Sequence, residues 1–178
     1  MNKNTNGDAV TSPNGCNFLH KKFNALFDVK DNTADQKKNN STQILTKLDI
    51  ADKSRKHPNV KYLAPTKYTE ATANGLTRMV CDYIKFSGGM AERVNSMGIY
   101  DVKLKRFRPS GSRKGTSDIK ALFNGKSLSI EVKIGRDKLS NYQREYANDV
   151  IKSGGFYFVA TNFADFHQWF ENLKICRP

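Results

Sequence analysis

The sequence predicts an α/β fold, a mixed β-sheet flanked by helices in the order α-β-β-β-α-β-α, and three observations carry that expectation. Asn124-Gly125 joins two strand-like runs and is the strongest short-range hairpin signal in the chain, because both residue types tolerate the positive φ of a type I′ turn. Apolar residues recur at helical spacing before and after that hairpin. The unbroken run Phe156-Tyr157-Phe158-Val159-Ala160-Thr161 suits a buried strand, parallel to its predecessor because a helix connects the two.

Taken in order, residues 1–65 are rich in Asn, Lys, Thr, Ser and Asp, most densely from Asp31 to Thr42. Their apolar residues are too scattered to bury much surface, so this stretch is expected to be a weakly structured polar and basic extension. Phe18, Phe23, Leu26 and Phe27, and then Ile44, Leu45, Leu48 and Ile50, would form only transient helices. Residues 66–178 are expected to form the folded domain. Leu76, Met79, Val80, Tyr83 and Ile84 predict a helix from about Leu76 to Phe86, stopped at Gly88-Gly89. Strand structure is expected within 91–108 with an interruption at 95–98. The basic stretch 103–115 then reads as a loop, punctuated by Pro109, Gly111 and Gly115. The hairpin strands run from Asp118 to Phe123 and from Lys126 to Ile134. A helix from Ser140 to about Ile151 carries Tyr142, Tyr146 and Val150 on one stripe and closes at Gly154-Gly155. Asn162 caps a final helix whose Phe163, Phe166, Trp169, Phe170 and Leu173 face inward.

Counting outward from the two-residue turn pairs Phe123 with Lys126, Ile119 with Ile130, and Asp118 with Glu131. The strand period of two then places Lys133 on the face of Glu131 and sends Leu128, Ile130 and Val132 to the other. Like charges directly opposed in a sheet are destabilising, and a cation between the two carboxylates is the simplest reason for them. Hard oxygen donors suit Mg²⁺, with Mn²⁺ as a substitute. The plainer alternative is a solvated polar face whose charges merely alternate with core residues. Gln143 also has two readings. Ser140-x-x-Gln143 is a capping box, and the same residue lies close in sequence to the candidate cation face.

Gly115-Thr116-Ser117-Asp118, Glu131-Val132-Lys133, Leu139-Ser140-x-x-Gln143 and the earlier Arg93-Val94-Asn95-Ser96 form an ordered set that resembles the PD-(D/E)XK nuclease superfamily, in particular its virus-type replication-repair (VRR-NUC) branch. The resemblance spans roughly Leu76 to Phe170. It implies a restriction-endonuclease-like core and a Mg²⁺-dependent DNA endonuclease of phage or mobile-element processing, recombination or repair. By matching position it implies Asp118, Glu131 and the Val132 carbonyl as metal ligands, Lys133 as catalytic, and Gln143 as an active-site neighbour. Ser117 stands where the family has proline. The family's first-helix acid has no counterpart in Leu76-Thr77-Arg78-Met79, and Glu92, Asp82 and Glu70 are the candidates to replace it. A homodimer is also allowed by the analogy.

Net charge agrees with a polyanionic partner. The 178 residues carry a formal charge of +13, which favours polyanions over acidic proteins or small metabolites, and the resemblance implies DNA, duplex or branched, as that partner. Lys105, Arg106, Arg108, Arg113 and Lys114 concentrate ahead of Asp118 and are expected to contact phosphates, with Asn95 and Ser140 beside them. No glycine pattern suits a nucleotide cofactor. Three scattered cysteines support neither a zinc site nor a disulfide framework. His20, His57 and His167 fall in unrelated segments and support no nucleophilic triad. The expected setting is cytoplasmic, without a membrane. The competing reading is a catalytically inactive DNA-binding accessory protein on a nuclease fold.

Overall fold

The computed structural model describes residues 34–94, 99–108 and 112–175. Its elements are α1 (Ala34–Lys56), α2 (Ala73–Phe86), β1 (Met90–Arg93), β2 (Ile99–Asp101), β3 (Arg106–Arg108), β4 (Ile119–Phe123), β5 (Lys126–Val132), α3 (Asn141–Lys152), β6 (Phe156–Ala160) and α4 (Phe163–Ile175). Four strands form the main sheet in the order β1-β4-β5-β6. The first three run antiparallel, and β6 joins β5 in parallel, so the sheet is mixed. The helices and strands that build this layer follow the expected order α-β-β-β-α-β-α.

The hairpin forms as its turn residues require. Asn124 and Gly125 take φ of 47° and 74°, and the register pairs Phe123 with Lys126, Ala121 with Leu128 and Ile119 with Ile130. Alternation along β4 is strict: Ile119, Ala121 and Phe123 are buried, while Lys120 and Leu122 are exposed. The buried set joins Leu128, Ile130 and Val132 beneath α2 and α4. Phe163, Phe166 and Phe170 of α4 are completely buried there, each contributing roughly 1.5–3 kcal/mol over an exposed ring. Trp169 stacks on Phe158 of β6 with ring centroids 4.6 Å apart. Helix α2 is capped by Thr72, whose hydroxyl accepts from the Gly75 N–H at 3.1 Å.

Two expectations need correction. Residues 34–56 lie in the stretch expected to be weakly structured, yet they form a 23-residue helix that packs on α2 and α4, with Leu45 fully buried in the shared core. Its stability is tertiary: Asp49 accepts from the Thr66 N–H at 2.7 Å and from the Thr66 hydroxyl and Lys53, which ties the helix to the segment entering α2. Residues 1–33, with the first transient helix expected there, lie outside the described residues. The second correction concerns the basic stretch, whose first part is not loop. Residues 106–108 pair with 99–101 in a separate two-stranded ribbon between β1 and β4. Among the described residues no helix is long and apolar enough to cross a membrane.

Candidate functional site

The carboxylates meet on the sheet face opposite the aromatic core. The Asp118 main chain is held in the sheet by the Val94 N–H, which donates to its carbonyl at 2.7 Å. Its side chain bends toward β5, where Oδ2 accepts from the Val132 N–H at 2.9 Å. Glu131 projects from β5 on the same face and is 2% exposed. Lys133 follows two residues later, and its Nζ lies 3.2 Å from Glu131 Oε1 and 3.1 Å from Asp137 Oδ2.

Gln143 forms the expected cap and also reaches the carboxylates. Its Oε1 accepts from the Ser140 N–H at 2.9 Å and its own N–H donates to Ser140 Oγ, completing the capping box of α3. The other end of the same amide, Nε2, donates to Glu131 Oε1. The cap that starts α3 therefore also fixes one oxygen of the buried carboxylate. Glu131 Oε2 is buried without a hydrogen-bond partner. Burial, and next the charge of Asp118, push the Glu131 carboxyl up to about 7, against the opposing pull of Lys133. For Lys133, burial acts to lower the pKa, but hydrogen bonds to Asp137 and Glu131 outweigh it and hold the ammonium above its usual range.

The expected third acid does not join this group. Glu70 Oε2 accepts from the Phe163 N–H at 2.8 Å, at the start of α4. Asp82 accepts from the Tyr68 hydroxyl at 3.1 Å and lies 3.6 Å from Arg78. Glu92 shares the sheet face of Asp118 but stands opposite Lys120 and is exposed. Among the described residues no three His, Cys, Asp or Glu side chains gather to hold a metal ion. The donors on offer are two carboxylates and the main chain of Val132, whose side chain is buried on the opposite face.

The basic residues divide. Lys105 and Arg106 are exposed at the turn of the β2–β3 ribbon, where Lys105 takes a φ of 49°. Arg108 ends β3, and its side chain lies outside the described residues, as does all of Asn95. Arg113 is engaged: its Nη2 donates to Asp149 Oδ2 at 2.6 Å and its guanidinium sits 5.9 Å from the Tyr146 ring centre. Lys114 lies 5.5 Å from the ring centre of Tyr142. Between them and Asp118, Gly115 is pressed on α3 so closely that a Cβ there would stand 2.2 Å from the Tyr142 carbonyl oxygen. The segment expected to meet phosphate is thus partly a clasp that seats α3, and Gln143 with it, against the carboxylates.

Two contributors escaped sequence reading. Asp137 pairs with Lys133 from the turn after β5, and the spacing of four was its one signal. Tyr157 reads as an ordinary strand aromatic, but the register Ser129↔Tyr157 and Glu131↔Val159 puts it on the carboxylate face. Beside the site, Glu92, Lys120, Ser129, Tyr146 and Asp149 help to line an open groove of ≈ 540 Å³. The chain matches no protein-family model and no curated protein.

Proposed function

We propose that this chain is a Mg²⁺-dependent deoxyribonuclease, a phosphodiester hydrolase on a PD-(D/E)XK core. The observation that carries the reading is the pair Asp118 and Glu131 at the end of the hairpin, with Lys133 bridging Glu131 and Asp137. Buried like charges are costly, and here one carboxylate oxygen has no partner in the protein. Such a donor set fits a small hard cation, which keeps several waters and takes substrate phosphate oxygens besides a few carboxylates. Asp118, Glu131 and the Val132 carbonyl would hold it, and when bound it supplies positive charge that neutralises the scissile phosphate and favours deprotonation of the attacking water. Gln143 fixes the Glu131 carboxylate through Oε1 and leaves Oε2 for the ion. Lys133, whose ammonium lies between Glu131 and Asp137, would stabilise charge developing on phosphate oxygens. Lys105, Arg106 and Lys114 hold the DNA backbone by charge without reading sequence. The setting implied by the motif resemblance is phage or mobile-element DNA processing.

A second reading rests on the absence of a third acid among the described residues: a DNA-binding accessory protein that has lost catalysis. The two separate in one experiment. Labelled single-stranded, duplex and branched DNA are incubated with the protein in Mg²⁺, Mn²⁺ or chelator, alongside Asp118→Asn and Lys133→Ala. The nuclease reading expects metal-dependent cleavage that both variants reduce by at least a hundredfold. Salt-sensitive binding with no turnover on any substrate would establish the accessory protein instead.

A further inference from the structure

Two buried side-chain polar atoms among the described residues have no hydrogen-bond partner, Glu131 Oε2 and the Tyr157 hydroxyl, and they belong to the same place in the fold. Their strands are parallel neighbours, with Ser129 beside Tyr157 and Glu131 beside Val159. Both side chains therefore rise from one sheet face on a diagonal that a long aromatic side chain spans. Helix α3 covers this corner from above: Gln143 reaches Glu131, and the Tyr146 ring lies 6.4 Å from the Tyr157 ring. Buried polar groups are paired in the great majority of cases, so two orphans of complementary kind, one donor and one acceptor, are poorly explained as independent accidents.

We propose that Tyr157 is a positioning residue of the site: its phenol and Glu131 Oε2 share one bound water, which holds the carboxylate in the orientation that accepts a divalent cation. The inference rests on the nuclease reading. Burial, then the charges of Glu131 and Asp118, push the Tyr157 phenol well above its usual range, so it remains a donor throughout neutral pH. A water at this corner accepts from the phenol and donates to one lone pair of Oε2, whose other lone pair is left to the cation, while Gln143 holds Oε1. Both carboxylate oxygens are then oriented, as ligands on metal sites commonly are by their outer partners.

Tyr157→Phe deletes the hydroxyl and keeps the ring. In chelator the full-length variant is expected to melt close to wild type, because the ring and its packing are kept and the shared water loses only one of its partners. In calorimetric titration with Mn²⁺ it is expected to bind about tenfold more weakly. In cleavage assays the Mg²⁺ concentration for half-maximal rate rises by a similar factor, while the rate at saturating Mg²⁺ stays within about twofold. Unchanged Mn²⁺ affinity and Mg²⁺ requirement would overturn the role of Tyr157 and leave the nuclease reading standing, as would a lowered melting temperature in chelator with unchanged affinity. Wild-type protein that takes up no Mn²⁺ and cleaves nothing would overturn the nuclease reading and this inference together.

Discussion

Glu131 concentrates the tension of the site in a single side chain. It is almost fully buried, one of its oxygens has no partner, and Asp118 carries the same charge directly across the hairpin. Such a residue weakens the empty fold, and in the nuclease reading a bound cation would offset that cost. Glu131→Gln keeps the shape and removes the charge. Its melting temperature in chelator should exceed that of wild type, by about 2–4 °C for each kcal/mol gained at this chain length. If the site holds Mg²⁺ as proposed, the ion should raise the melting temperature of wild type and leave that of the variant unchanged. Differential scanning calorimetry reads both; a lower melting temperature in chelator would mean that the carboxylate serves the fold rather than a ligand. Lys133 behaves differently, because its ammonium neutralises Glu131 and reaches Asp137. Removing it leaves a buried charge unpaired, so Lys133→Ala should cost stability as well as cleavage, on the order of 3 kcal/mol for a buried pair broken on one side.

Elements are joined by a few specific contacts, and those are where local substitutions have long reach. Burial works to raise the Asp49 pKa, but hydrogen bonds from Lys53 and Thr66 outweigh it and hold the carboxyl below its usual range. A carboxylate depressed in the folded state stabilises above its unfolded pKa, and that contribution is lost as pH falls through the folded one. Asp49→Ala should therefore cost roughly 1–3 kcal/mol in urea denaturation at pH 7, a gap that closes as pH drops below 4. A pH-independent difference would show that packing of α1, and not the charge, is responsible. Gly115 joins the other side of the sheet, with a φ of 82° and α3 in contact. Gly115→Ala should lower stability by about 1–3 kcal/mol and displace the capped end of α3, so that cleavage falls more than stability alone explains. These joints also mark the limit of what the sequence made legible. The hairpin, its register, α2, α3 and α4 follow from local signals: Asn124-Gly125, apolar periodicity and caps. Asp118, Glu131 and Lys133 followed from that register, and Gln143 from the capping box and the motif resemblance. Helix α1 escaped because Leu45 and Leu48 are sparse among polar residues, and the partners that hold it lie in other elements. Strands β2 and β3 lie within the expected strand region, but their pairing in a ribbon apart from the main sheet escaped, because three-residue strands among charges carry no register signal. Asp137 and Tyr157 acquire their roles only through contacts across turn and sheet.

At the scale of the whole molecule, the excess of positive charge has to be divided between cations that hold the protein together and cations that would meet DNA. The +13 net charge says nothing about that division, but the contacts do. Arg113 is committed to Asp149 and the Tyr146 ring, whereas Lys105 and Arg106 stand exposed on a ribbon joined outside the main sheet. For duplex DNA the logarithm of affinity falls with the logarithm of salt concentration by about 0.9 for each phosphate neutralised. If the ribbon contributes two phosphate contacts, replacing Lys105 and Arg106 by alanine should flatten that slope by about 1.8 and leave the melting temperature unchanged. Arg113→Ala should do the reverse, lowering the melting temperature and cleavage through the loss of the α3 clasp while shifting the slope little. Fluorescence anisotropy across a salt series, paired with thermal unfolding of each variant, separates the two classes. Equal changes in slope for the ribbon pair and for Arg113 would mean that the Asp149 bond opens on binding, and that the segment before Asp118 exchanges its structural partner for the DNA backbone.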